Sequence, residues 1–118
     1  MDLTEFFEKT IEYVKVPDLD MLKIRPRIYC KDGVHLSVQA SKFHYSTPRE
    51  NGSVFCNVEV GFPSVAPPAD TWWSYFDGKY TDEEATNSVY GYIPIELVQE
   101  FIDDHGGIDE EKTFATTS

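Results

Sequence analysis

Three histidines, two cysteines and several runs of carboxylates are the groups through which this chain could do covalent or acid–base chemistry. His35, His44 and His105 are scattered, and no two of them share the helical spacing that builds a metal shell. Cys30 and Cys56 stand too far apart for a CxxC site. Strand alternation puts both on inward-facing positions, where a thiol behaves as a small hydrophobe and a thiolate is disfavoured. The seven glycines are isolated except for Gly106-Gly107, so no GxGxxG or GxxxxGK[ST] loop gathers backbone amides around a phosphate. Acid pairs abound, but general acid and base work needs carboxylates whose surroundings separate their pKa values, and runs on loops and helix ends are ordinarily just solvated. The reading is of a non-enzymatic protein with no catalytic residue, no metal ligand and no cofactor.

What remains is the chemistry of binding. The formal charge of −11 is unevenly spread: residues 23–49 carry six bases and one acid, whereas residues 77–118 carry eleven acids and two bases. Broad binding to DNA needs cations that displace condensed counterions, so this balance points away from direct nucleic-acid binding. Asp82, Glu83, Glu84, Glu96, Glu100, Asp103, Asp104, Asp109, Glu110 and Glu111 can instead form one negative area. Acids spaced over a rigid helix imitate duplex phosphates toward a basic nucleic-acid-binding protein, with a merely solvated helix face as the plainer alternative.

Two further surfaces offer themselves. Lys23, Arg25, Arg27, Tyr29 and Lys31 alternate and so project from one side of a strand, a stripe suited to a phosphate or an acidic peptide, although edge-strand protection uses the same residues. Trp72, Trp73, Tyr75 and Phe76 form either a lid over a small core or, if exposed, the anchors of an interface.

These side chains need elements to carry them. Leu3, Phe6, Phe7, Ile11 and Val14 fall at helical spacing, which predicts a helix over residues 3–15, opened by an Asp2–Glu5 capping box and ended by Pro17. From Lys23 to Cys30 the period becomes two, with Ile24, Pro26, Ile28 and Cys30 inward, and Pro26 demotes the run to an edge strand or a bulge. Val34 to Ala40 follows as a second strand, and a three-residue Lys31-Asp32-Gly33 turn sets Cys30 opposite Val34, Ile28 opposite Leu36 and Ile24 opposite Ala40. Val54, Cys56, Val58, Val60 and Phe62 mark the inward side of a third strand. Ser88 to Ile93 reads as a fourth, Pro94 as the first residue of a helix lined by Leu97, Val98, Phe101 and Ile102, and Gly106-Gly107 as its stop.

The order gives an α+β fold, an antiparallel sheet of about four strands with an N-terminal and a C-terminal helix packed on one face. One domain is expected over residues 1–108, with helix and connector over 1–20, a long aromatic and acidic loop over 63–87, and a flexible acidic tail over 109–118. No apolar run approaches the roughly 18–20 residues of a bilayer span. Asp2 and Glu5 stand where a signal peptide would carry Lys or Arg, so a cytoplasmic protein without membrane contact is expected.

At Val38-Gln39-Ala40-Ser41, Ser46-Thr47-Pro48-Arg49, Val58-Glu59-Val60-Gly61-Phe62-Pro63-Ser64, Val89-Tyr90-Gly91-Tyr92-Ile93-Pro94 and His105-Gly106-Gly107 the chain resembles a family of small uncharacterised proteins from tailed phages and prophages. That family brings no activity and no catalytic residues. The resemblance implies a bacterial host cytoplasm as the setting and an accessory protein that disarms host defences. The leading expectation is an inhibitor, of anti-CRISPR or other anti-defence type, that occupies a basic nucleic-acid-binding site on a host protein through its acidic residues. Sequestration of a nucleotide signal by the Lys23–Lys31 stripe and a virion structural or assembly role are the alternatives, and self-association into a homo-oligomer stays open.

Overall fold

The computed structural model describes residues 1–13, 24–41, 44–48, 52, 54–76 and 80–115. The capping box at the start of the chain closes as its spacing requires: Glu5 N donates to the Asp2 carboxylate at 2.8 Å and Asp2 N donates to Glu5 Oε1 at 3.4 Å. Helix α1 (Leu3–Lys9) follows and buries Leu3, Phe6 and Phe7. It is shorter than its periodicity suggests, because the Thr10 hydroxyl bonds back to Phe6 O and the chain tightens into a 3-10 turn at Ile11–Tyr13. Val14 and Pro17 lie outside the described residues.

Four strands, β1 (Ile28–Tyr29), β2 (His35–Gln39), β3 (Asn57–Gly61) and β4 (Val89–Pro94), form one antiparallel sheet in chain order. The first turn has the expected three residues: Ile28 faces Leu36, Tyr29 faces His35, Cys30 N donates to Val34 O at 2.7 Å, and Gly33 takes φ +97°. Inward residues Ile28, Leu36, Val38, Val58, Val60, Tyr90 and Ile93 share one core with α1 and with Val98, Phe101 and Ile102 of α4 (Ile95–Asp104). The architecture is α+β.

The expected alternation fails beyond the paired stretches. Before β1 it slips by one: Ile24 is 56 % exposed and Arg25 is buried, because Pro26 interrupts the ladder and Arg25 N bonds to the Gln39 side chain rather than to a strand. Ile24 therefore does not pair with Ala40. Pairing of β3 covers only Asn57–Gly61, and on either side of it Phe55 turns inward while Cys56 and Phe62 turn out. Phe55 meets the Phe7 ring at 5.3 Å, and Phe62 leaves the strand at φ +48°.

The described residues of the expected loop, 63–76 and 80–87, are not irregular throughout. They hold α2 (Ala69–Trp72), a 3-10 turn at Trp73–Tyr75 and α3 (Asp82–Thr86), whose Thr81 cap accepts from Glu84 N at 3.2 Å. Pro94 proves to be the N-cap of α4 and not its first residue, and Gly107 N closes the far end on Ile102 O at 2.9 Å, with Gly106 and Gly107 both at positive φ.

Residues 109–115 of the expected tail are likewise docked. Asp109 caps α5 (Glu110–Phe114), and this segment lies along the outer edge of β1: Asp109 N donates to Tyr29 O at 2.7 Å, Tyr29 N donates to Thr113 Oγ1 at 3.0 Å, and Cys30 bridges to Ile108. An edge strand leaves backbone groups unpaired, and these contacts satisfy them. Among the described residues no helix is long and apolar enough to cross a membrane.

Candidate binding surfaces

Helix α4 separates its faces cleanly, with Val98, Phe101 and Ile102 buried and Glu96, Glu100, Asp103 and Asp104 exposed. Leu3 N donates to Gln99 Oε1 at 2.7 Å, which fixes the start of α1 against this helix. Asp2 thereby joins the four acids of α4 around an open groove of about 460 Å³, whose remaining lining is Leu3, Thr4, Ile95 and Gln99. Among the described residues five carboxylates line the groove and no cation does.

Helix dipoles divide the acids by purpose. Asp82, Glu83 and Glu84 occupy the first turn of α3, and Glu110 and Glu111 the first turn of α5, where the positive helix end favours negative charge. Asp109 is a cap, its carboxylate accepting from Lys112 N at 3.0 Å, and Glu110 lies 4.0 Å from Lys9 Nζ. These residues support their own helices. Asp103 and Asp104 instead stand in the last turn of α4, where the dipole favours cations and no base is present. Their placement opposes helix stability and deepens the negative potential. The ten acids singled out in the sequence are thus dispersed over three helices, and only the four of α4 share a groove, with Asp2 as an addition. Nothing in the sequence signals that Asp2 belongs there, since it takes the packing of α1 on α4 to bring it in.

The cationic stripe is not assembled. Lys23 lies outside the described residues, and Lys31 is exposed at the turn. Arg25 is 1 % exposed, its guanidinium donating to Thr10 Oγ1 at 2.9 Å, to Gly52 O at 3.0 Å and to Ala40 O, between the rings of Phe7 at 4.8 Å and Phe55 at 5.8 Å. Burial pulls its pKa down to about 10, still far above neutrality. Arg27 Nε donates to His35 Nδ1 at 2.6 Å and its terminal nitrogen to Phe62 O, and the Tyr29 ring stacks on His35 at 5.0 Å. Burial first, then Arg27 and Lys112, hold the His35 imidazole below its ordinary pKa.

The aromatic quartet divides too. Trp72 is buried against Tyr90 and Phe101, both at 5.5 Å, and Tyr75 and Phe76 are half-buried against the same core. Trp73 is 62 % exposed. Tyr45 and Tyr92, which sequence reasoning missed, add an exposed pair with rings 5.7 Å apart.

Of the groups that could do chemistry, Cys30, His35, His44 and His105 are engaged structurally. Burial, with Asp32 nearby, raises the Cys30 thiol to about 11, whereas Cys56 is exposed and so is not the inward thiol that alternation suggests. Ser41 Oγ and His44 Nδ1 meet at 2.6 Å inside the protein, and His105 Nδ1 meets Asp32 Oδ2 at 2.6 Å beside the first turn. Among the described residues no three His, Cys, Asp or Glu side chains cluster as a metal shell.

No protein-family model matches this chain, and comparison with curated proteins and with solved structures finds no match either.

Proposed function

We propose that the chain is a non-enzymatic binding protein that places the acidic groove between α1 and α4 in a basic, nucleic-acid-binding site of another protein. The supporting observation is the set Asp2, Glu96, Glu100, Asp103 and Asp104 around one groove that no cation of the described residues lines, two of the five standing against the helix dipole. Carboxylates on a rigid, core-anchored helix present charge at fixed spacing, which is what a site built to read phosphates accepts. On the sequence resemblance to tailed-phage proteins, this reading extends to an inhibitor of anti-CRISPR or other anti-defence type that acts on a host defence effector in the cytoplasm of a bacterial host.

The test is competition. Nucleic-acid binding by candidate effectors is measured with and without the protein at two salt concentrations. Inhibition is expected to weaken at high salt and to be lost in the triple variant Glu100→Gln, Asp103→Asn, Asp104→Asn. Undiminished inhibition by that variant would falsify charge mimicry.

A further inference from the structure

The two edges of the sheet are finished differently. The outer edge of β1 is sealed by residues 108–113, whereas among the described residues β4 pairs with β3 alone. Phe62 N donates to Ser88 O at 3.0 Å, which makes Val60 and Tyr90 the next hydrogen-bonded pair, so alternation turns the N–H and C=O groups of Val89 and Gly91 outward. No hydrogen bond from elsewhere in the described chain reaches them. The free stretch is short: Gly91 and Tyr92 together oppose Glu59 in a bulge, Tyr92 at φ +54° sends its N–H to Tyr45 O, and Pro94 has none to offer. Beside this edge Ser74, Tyr75, Phe76, Gly91 and Tyr92 line an open groove of about 470 Å³.

We propose that the Val89–Gly91 edge and the groove beside it dock an extended peptide segment of a partner, with a short uncharged centre and basic residues at both ends, as a fifth strand. Charge selects this occupant. Residues 88–95 contain no charged side chain, while the exposed acids Asp82, Glu83 and Glu84 precede them and Glu96 follows. A second copy pairing antiparallel would bring the α3 acids of one molecule toward Glu96 of the other, and like charges repel. A basic segment meets opposite charge at each end. Because backbone pairing carries the contact, the site stands whether or not the α4 groove binds a basic surface.

The probe is a synthetic ten-residue peptide with alternating valine and threonine between pairs of lysines, titrated into isotope-labelled protein and followed by NMR. Amide shifts and slowed exchange are expected to centre on Val89–Gly91 and Ser74–Phe76. N-methylation of alternate probe residues in one phase should abolish binding and in the other leave it within about two-fold, since a strand serves its neighbour with every second residue. The double variant Glu83→Gln, Glu84→Gln should weaken binding about five-fold at low salt. Equal binding by both methylated probes, shifts confined to the acids of α4, or no saturable shift at millimolar probe would overturn the proposal. So would a dimer that protects β4 in the absence of peptide, which would give the edge to a second copy.

Discussion

The hairpin that carries the cations and the groove that carries the carboxylates read in the sequence as two charged surfaces, and the fold treats them in opposite ways. Arg25 is drawn into the core between two phenylalanine rings, with three oxygen acceptors around its guanidinium, and Arg27 is committed to His35 and to Phe62 O. The acids of α4 stay in water, with no base among the described residues along their groove. The difference teaches that charge in a sequence is not charge on a surface. Arginine can bury a planar, weakly hydrated cation against aromatic faces, while a carboxylate without a cationic partner must remain solvated. The long-range field of the described surface is therefore set by its acids.

Substitution on the two sides should separate stability from binding. The largest effect is expected at Arg25. Arg25→Met leaves Ala40 O and Gly52 O without a donor and removes a stacked cation, and should lower unfolding free energy by about 3–5 kcal/mol in a denaturant titration. Arg25→Lys should recover little, because an ammonium cannot serve the same fork of acceptors. A loss under about 1 kcal/mol would return this cation to the surface and break the comparison.

Next in size is the seal on β1. Thr113→Val keeps shape but deprives Tyr29 N of its acceptor, and should destabilise the fold by about 1–2 kcal/mol with faster amide exchange along β1. An unchanged exchange pattern would show that residues 108–113 merely rest on the edge.

A smaller effect should appear with pH. The folded pKa of His35 is depressed, so its contribution is fully present above the ordinary histidine value of about 6.5 and is lost as pH falls through the folded value. Protonation puts a hydrogen on Nδ1, the atom that accepts from Arg27. Asp32 acts with the same sign at more acid pH, its carboxyl held low by the Val34 N–H and by His105. Melting temperature should decline below about pH 6.5, and His35→Gln should flatten the first part of that decline. A His35→Gln protein with the same pH profile would assign the decline elsewhere.

The smallest stability effect belongs to the acids. Changing Glu100, Asp103 and Asp104 to amides should leave the melting temperature unchanged or slightly raised, since it relieves mutual repulsion and opposition to the helix dipole. A marked drop would mean that these carboxylates hold the fold together and are not spare for a partner.

How much of this was legible in the sequence depends on how locally each feature is specified. The capping box, the Lys31-Asp32-Gly33 turn, the amphipathic α4 and its glycine stop are set by residues within a few positions of one another, and all were readable. Burial of Arg25 was not, because its acceptors come from Thr10, Ala40 and Gly52 and its rings from Phe7 and Phe55. The inward turn of Phe55 and outward turn of Cys56 were hidden by the same cause, since alternation holds only where a neighbouring strand enforces it. The docking of α5 depends on Tyr29, more than eighty residues upstream of Thr113. Recruitment of Asp2 into the α4 groove depends on the contact of Leu3 N with Gln99, also distant in sequence. The ten acids were readable as a composition, but their division into helix-supporting and helix-opposing sets required the positions of the helix ends.

The most direct measurement is the salt dependence of competition between this protein and nucleic acid for a basic effector, compared between the wild-type chain and the Glu100→Gln, Asp103→Asn, Asp104→Asn variant. Expected are a steep loss of inhibition with rising salt for the wild type and near-complete loss at every salt for the variant, at equal thermal stability. Inhibition that is insensitive to salt and equally strong in the variant would contradict a role for the α4 groove.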